Sequence, residues 1–290
     1  MVFRNFLNKL LFKYIYRQWN IAIASVSEDL TPTKARWIKH TYKDRWFADP
    51  FILYETNKEY IILAEEYIRD DKKARLARLT VNKKDCTLLK NETILNLPTH
   101  LSFPNFISIN GKTYIYPENG RSGSTDYYEY GEELKRVGVL SPLPLADAVI
   151  QKIGDLNFMF FTIGKECNGN KLIVYSSENS FGPYHPFQEI FFNENIARRA
   201  GRFFYWKGKL VSPAQVCNNA YGEALSLQEV IYKDNKFFFK EIKRIYPNSE
   251  IFPHGLHTYN TLGEHVVIDG YKYDYPLISK LYFKIRGGGI

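Results

Sequence analysis

Five times along the chain, a short apolar strand broken by a proline, glycine or charged residue is followed by a tight turn. An aromatic-rich strand that closes on a polar residue comes next. Phe47 to Phe51 leads to Tyr60 to Glu66 across Thr56-Asn57-Lys58, and Leu101 to Phe106 leads to Thr113 to Asn119 across Asn110-Gly111. Leu145 to Ile150 leads to Asn157 to Thr162 across Gly154-Asp155, and Arg199 to Phe204 leads to Lys209 to Gln215 across Lys207-Gly208. The last unit joins His254 to Asn260 with His265 to Tyr271 across Leu262-Gly263. Asn-Gly, Gly-Asp and Lys-Gly turns supply the positive φ that tight hairpins need. The pattern therefore predicts five β-hairpins, each opening a sheet of its own.

Equivalent positions in the five units, Asp49, Pro104, Asp147, Arg202 and His257, stand 55, 43, 55 and 55 residues apart. A four-stranded propeller blade takes about 40 to 50 residues, so five blades fill the 290 residues. The 22 Tyr, 21 Phe and 4 Trp, 16% of the chain, add to the strand preference. An all-β fold is predicted: one five-bladed β-propeller over residues 20–290. In it Asn20 to Val26 pairs with the last blade to close the ring and remove its open edges.

Ahead of the propeller, Phe3, Phe6, Leu7, Leu10, Leu11 and Tyr14 recur at helical spacing, with Arg4, Lys9, Lys13 and Arg17 mainly off that stripe. A short basic amphipathic helix is expected over residues 1–19. It would either dock on the propeller or make peripheral contact with an anionic membrane surface. Lys9, Lys13 and Arg17 interrupt every apolar run before it reaches signal-peptide or spanning length. The expected location is cytoplasmic, with peripheral attachment to the inner face of the membrane as the alternative.

Charge and cysteine content narrow the chemistry. A formal net charge of +8 favours anionic partners such as phosphates, nucleotide sugars or lipid headgroups. The basic residues are scattered and no RNP1 or KH-type GXXG signature occurs, so no nucleic-acid partner is expected. Cys86, Cys167 and Cys217 are odd in number and widely spaced, which supports neither a disulfide framework nor a CxxC metal site.

The first strand of each propeller blade lines the central axis, so polar residues far apart in sequence converge on one funnel. From first strands these are Asp49, Asp147, Arg199, Arg202, His254 and His257, and from the ends of second strands Glu65, Glu118, Gln215 and Asp269. Paired carboxylates such as Asp49 and Asp147 are the usual equipment for chemistry at an anomeric carbon. Arg199 and Arg202 offer planar forks for a phosphate or carboxylate, or neutralise the two aspartates. His254 and His257 fall on opposite strand faces, and His257 is preferred for the funnel. Phe181-Gly182-Pro183-Tyr184-His185-Pro186 is a rigid aromatic turn that suits a carbohydrate pocket, with His185 as a substrate contact, or a loop between blades. Tyr221-Gly222-Glu223, soon after Gln215, places another carboxylate near the funnel, or Glu223 already belongs to the next strand and faces solvent. A metal on Asp49, His257 and Asp269 lacks a compact motif such as HExxH, and neither a metal nor another cofactor is expected.

At these residues the sequence resembles the glucosamine inositolphosphorylceramide transferase N-terminal-domain family, from Gln18-Trp19-Asn20 to Asp269-Gly270. The resemblance is carried by Phe47-Ala48-Asp49-Pro50-Phe51, Leu101-Ser102-Phe103-Pro104, Pro117-Glu118-Asn119, Ala146-Asp147, Gly182 to Pro186, Arg199-Ala200-Gly201-Arg202, Gln215, Tyr221-Gly222, His254 to Asn260 and Asp269-Gly270. That family is in turn similar to the five-bladed propellers of glycoside hydrolase family 43. The likeness implies that Asp49 is the base and that Asp147 assists it. Family 43 carries its general acid as a Glu on the first strand of the fourth blade, where this chain reads Arg199-Ala200-Gly201-Arg202.

The resemblance and the missing Glu imply a glycosyl-transferring enzyme that acts on an activated sugar in surface polysaccharide or glycolipid assembly. Its partners would be a sugar phosphate or nucleotide sugar and a glycan or glycolipid acceptor. Asp49, Asp147 and Glu118 would be catalytic, and Glu65, His185, Arg199, Arg202, Gln215, Tyr221, His257 and Asp269 would bind substrate. Two alternatives stay open: a glycosidase that pairs Asp49 with Glu118 or Glu223 as acid, and a non-catalytic glycan-binding propeller.

Overall fold

The structure, a computed structural model, describes Leu11 and residues 15–286. Its strands in chain order begin with β1 (Arg17–Val26) and β2 (Pro32–Trp37). The first complete blade is β3 (Arg45–Glu55), β4 (Glu59–Ile68), β5 (Lys73–Asn82) and β6 (Leu88–Leu95). The second is β7 (Ser102–Ile109), β8 (Lys112–Glu118), β9 (Thr125–Glu129) and β10 (Lys135–Ser141). The third is β11 (Leu145–Ile153), β12 (Leu156–Ile163), β13 (Lys171–Ser177) and β14 (His185–Phe191), and the fourth is β15 (Phe204–Trp206), β16 (Lys209–Val216), β17 (Ala224–Lys233) and β18 (Lys236–Ile245).

The fifth sheet is shared by distant parts of the chain. Its order is β19 (Tyr259–Leu262), β20 (His265–Tyr273), β1, β2, with β1 antiparallel to β20 from Arg17↔Tyr273 to Ser25↔His265. The ring closes as the sequence predicts. The closing strand also starts earlier than expected, because Trp19 is buried opposite Tyr271. Most of the amphipathic helix expected over Met1–Trp19 lies outside the described residues, and Arg17, Gln18 and Trp19 are strand, so the structure does not support that helix. A helix, Pro276–Arg286, follows β20.

The local sequence explains the hairpins. Asn110-Gly111, Lys207-Gly208 and Asp234-Asn235 all take positive φ at both turn positions, the conformation that matches strand twist in a two-residue hairpin. The second strands are sandwiched between neighbouring blades: in β12 the run Phe158-Met159-Phe160-Phe161 is fully buried on both faces. Aromatic rings fill the wedges between blades, with Phe51 edge-on to Phe103 at 4.9 Å and Phe158 edge-on to Phe237 at 4.8 Å. Such edge-to-face pairs are a favoured ring geometry and bury large areas.

Candidate active site in the funnel

The inner strands of the first three blades slip register at equivalent places, between Ala48 and Phe51, Ser102 and Asn105, and Ala146 and Val149. At each slip one residue takes a left-handed backbone: Asp49 at φ +48°, Phe103 at +45° and Asp147 at +45°. This conformation costs a residue with a side chain about 1–3 kcal/mol and persists where the surroundings over-determine it. Here the surroundings are carboxylates of the adjoining blade. The Asp49 N–H donates to Asp269 Oδ2 at 3.1 Å, the Phe103 N–H to Asp49 Oδ2 at 3.0 Å, and the Asp147 N–H to Glu118 Oε2 at 3.1 Å. The same register sets Glu65 opposite Ala48 and Glu118 opposite Ser102, which carries two second-strand carboxylates to the funnel.

A cavity of about 230 Å³ opens at this level, lined by Asp49, Glu65, Glu118, His100, Arg198 and His257 together with the rings of Trp19, Trp46 and Tyr221. Asp49 is fully enclosed, and its Oδ1 accepts from the Thr258 hydroxyl at 2.9 Å. Burial pushes its pKa up to about 7, against the pull of the nearby His257 charge.

His257 lies between two carboxylates. Its Nε2 is 3.4 Å from Asp49 Oδ1 and its Nδ1 is 2.7 Å from Asp269 Oδ2. The Nδ1 contact is close but lacks hydrogen-bond alignment, so its attraction is chiefly that of charge. Burial opposes the imidazolium, but Asp269 and Asp49 outweigh it and raise the pKa to about 9. The Trp19 and His257 ring centroids are 4.2 Å apart, and the Tyr221 ring meets His257 edge-on at 5.4 Å. Asp49, His257 and Asp269 bring their ligand atoms within 4.8 Å of one another, the donor types of a metal centre. Asp269 nevertheless accepts the backbone N–H groups of Asp49, His257 and Thr258. The charge between the two aspartates is the imidazolium itself.

Across the funnel, Arg198 is the principal fixed cation. It donates from Nε to Asp147 Oδ2 at 2.6 Å, from Nη2 to Glu118 Oε2 at 3.0 Å and from Nη1 to Asn168 Oδ1 at 2.8 Å. Burial works against its charge, yet Asp147, Tyr221 and Glu118 hold its pKa raised. Burial also pushes Asp147 up to about 7, with Arg198 opposing. The two shifts favour opposite states of the pair. We read Asp147 as the ionised partner, because Oδ2 accepts two short bonds, from Arg198 and from Gln215 Nε2 at 2.6 Å. Asp147 Oδ1 and Gln215 Oε1 are buried without a hydrogen-bond partner among the described residues.

His100 completes the wall. Its Nδ1 accepts the Ala74 N–H at 3.2 Å, and its Nε2 lies 3.0 Å from Glu65 Oε1. The first bond leaves the proton of the neutral ring on Nε2, facing Glu65. Burial opposes protonation, but the Glu65 hydrogen bond and charge raise the pKa overall.

The structure thus brings Asp49, Glu65, Glu118, Tyr221 and His257 to the cavity, with Asp147, Gln215 and Asp269 directly behind it. Three expected contacts lie elsewhere. Arg199 points into the fourth blade, fully buried, and donates to the Ile196 and Ala197 carbonyls, Ser212 Oγ and Gln228 Oε1. The Arg202 guanidinium lies over the Phe106 ring at 4.5 Å. His185 is exposed at the start of β14, the outermost strand of the third blade. Two weaker candidates are also removed: His254 packs on Tyr271 and Tyr273, and Glu223 caps a turn through the Asn219 and Ala220 N–H groups. Arg198, His100, Trp19 and Trp46 are cavity residues that sequence reasoning passed over. The adjacent arginines Arg198-Arg199 were the available signal for the first of them.

Comparison with known proteins meets this geometry. The family described as glucosamine inositolphosphorylceramide transferase 1, N-terminal, matches residues 20–267. The chain belongs to that family. Over 157 residues it is 29% identical to glucosamine inositolphosphorylceramide transferase 1 from both the japonica and the indica subspecies of Oryza sativa. These matches take in 50% of this chain and 20% of each rice protein, so the chain spans about a fifth of the curated relatives' length.

The fold is similar to that of a thermostable family-43 glycoside hydrolase, with a TM-score of 0.55 at 13% identity over 83% of this chain and 90% of the other. It is also similar to an exo-beta-1,3-galactanase from Phanerochaete chrysosporium bound to galactose, with a TM-score of 0.54 at 10% identity over 72% of this chain and 53% of that one. Identities this low show a common five-bladed architecture.

Proposed function

We propose that the funnel binds a single sugar ring and that the chain is a glycosyl-transferring enzyme acting on an activated sugar. The observation that carries this reading is the cavity of about 230 Å³ that joins Asp49, Glu65 and Glu118 to the Trp19 and Trp46 rings. Carboxylates accept sugar hydroxyls, and aromatic faces cover the apolar side of a pyranose. Asp49, with its raised pKa, is the base that takes the proton of the attacking hydroxyl. His257 and Asp269 position it from behind.

Transfer is favoured over hydrolysis by how the acid candidates are engaged. Glu118 Oε2 is held by both Arg198 and the Asp147 N–H, which fixes that carboxyl against the third blade. Glu223 is spent on a turn. A leaving group that departs as phosphate needs a cation more than a proton. Arg198 brings one to the funnel wall, where Asp147 and Glu118 already hold it. A neighbouring cavity of about 540 Å³, which shares His100 and Glu118 with the funnel, offers Lys72, Lys73 and Arg121, beside Asp71, to the rest of the anion.

The test is a panel of nucleotide sugars and sugar phosphates scored by thermal shift and then by product formation with the full chain. A stabilising donor, whose turnover disappears in Asp49→Asn while binding persists, is the expected result. Full turnover in Asp49→Asn would overturn the role given to Asp49, and a panel without any stabilising sugar would overturn the reading as a whole.

A further inference from the structure

A second feature lies beside the funnel and takes no part in the reaction proposed above. Helix Pro276–Arg286 packs Ser279 and Tyr282 inward and turns Leu277 and Leu281 outward, at 82% and 47% exposure. These two leucines are four residues apart and share one helix face, with Lys280 and Lys284 also exposed. Water-exposed leucines on so short a helix do nothing for folding; beside lysines they make the two-part surface of an interfacial helix.

The chain leading into this helix borders a cavity of about 660 Å³ walled by Lys39, Lys43, Lys272, His40, Tyr42 and Tyr275. None of the three lysines is ion-paired to a carboxylate among the described residues. The carboxylate in this wall, Asp274, is already held by Arg69 at 2.5 Å. Six residues, Lys272 to Leu277, therefore join a basic recess to an exposed apolar knob.

A soluble anion would need only the recess, and an apolar protein segment only the knob. A bilayer with anionic headgroups uses both, since apolar side chains enter the headgroup boundary while lysines meet its negative potential. We infer that helix Pro276–Arg286 and the lysine-walled recess form a docking face for an anionic phospholipid bilayer. Tyr282 and Phe283 of the helix also wall an aromatic groove with Trp19 and Trp46, which line the funnel cavity as well. Docking would bring the funnel cavity close to the lipid surface through these shared rings, although the docking itself does not depend on the proposed reaction.

The experiment is vesicle co-sedimentation of the full chain, with phosphatidylcholine alone and with a share of phosphatidylglycerol. Binding is expected on the mixed vesicles and not on phosphatidylcholine. It should weaken at least about tenfold in Leu277→Asp/Leu281→Asp and in Lys39→Glu/Lys43→Glu/Lys272→Glu. Thermal melting of each variant checks its fold, and Leu277→Ser/Leu281→Ser replaces the aspartates if they unfold the protein. Wild-type binding by these variants overturns the assignment. So does equal binding to phosphatidylcholine alone, or complete release by millimolar inorganic phosphate, which would mark the recess as a site for a soluble anion. Loss of binding in Phe6→Asp/Leu10→Asp, with the helix variants unaffected, would transfer the contact to the first residues of the chain.

Discussion

Arg198 Nε meets Asp147 Oδ2 at 2.6 Å, linking the third blade to the segment that enters the fourth. Both groups are almost fully buried, so each depends on the other for charge compensation. The same guanidinium reaches Glu118 of the second blade, and one side chain thereby ties three parts of the ring together at the funnel wall.

Removing one partner of a buried pair leaves an uncompensated charge. Arg198→Met is expected to lower stability by about 3–5 kcal/mol. Arg198→Lys should fall between it and the wild type, because an ammonium keeps the charge without the planar fork. Urea unfolding of the three proteins measures this, and a stable Arg198→Met would remove the pair from the account of the fold.

The funnel also sets a pH dependence. His257, raised from 6.5 to about 9, is protonated in the folded protein where the unfolded chain would have lost the proton. Its contribution is therefore complete below pH 6.5 and disappears as pH rises through about 9. Asp49, raised from 3.8 to about 7 by burial, acts in the same direction over a lower window. His40 and His254, held down by burial, oppose the trend around and below pH 6.5. Between pH 7 and 9 the urea midpoint should decline, and His257→Gln should flatten most of that slope.

Arg199 and Arg202 should separate cleanly. Arg199→Ala strips the partner from two carbonyls and two side chains inside the fourth blade, and a loss of about 3 kcal/mol or more is expected. Arg202→Ala removes a ring contact and should cost less than about 1 kcal/mol. Neither should alter the affinity of a funnel ligand for folded protein, which calorimetric titration can establish.

Gly201 sits where the fourth blade meets the fifth. A Cβ there would fall 2.2 Å from the Tyr259 carbonyl oxygen, a backbone atom with nowhere to retreat. Gly201→Ala should break the Ala200 to Tyr259 contact, where the Tyr259 N–H donates to Ala200 O at 2.7 Å. It should also lower the thermal midpoint by several degrees.

The blades were readable because each is announced locally, by a turn such as Asn110-Gly111 and a two-sided apolar strand such as Leu156–Ile163. Asp49 and Asp147 were readable because they occupy the same bulge in their respective repeats. The fourth blade was harder. Regular pairing there begins only at Phe204, with Arg199↔Ala214 as an isolated bridge, so strand alternation could not decide which arginine faces the axis. His100 precedes its strand and was invisible to the repeat for the same reason. Arg17 to Trp19 show local pattern overruled by distance, since a helical stripe gave way to pairing with strand β20, reached only at the far end of the repeat.

That long-range pairing has a mechanical meaning. In the β1 and β20 pair, Arg17 faces Tyr273, and the Asp274 N–H donates to the Tyr16 carbonyl at 3.0 Å just beyond. The chain enters and leaves this strand pair at the same end. Force applied through these two points would load the hydrogen bonds singly, in sequence, and the ring would part like a zip rather than shear as a unit.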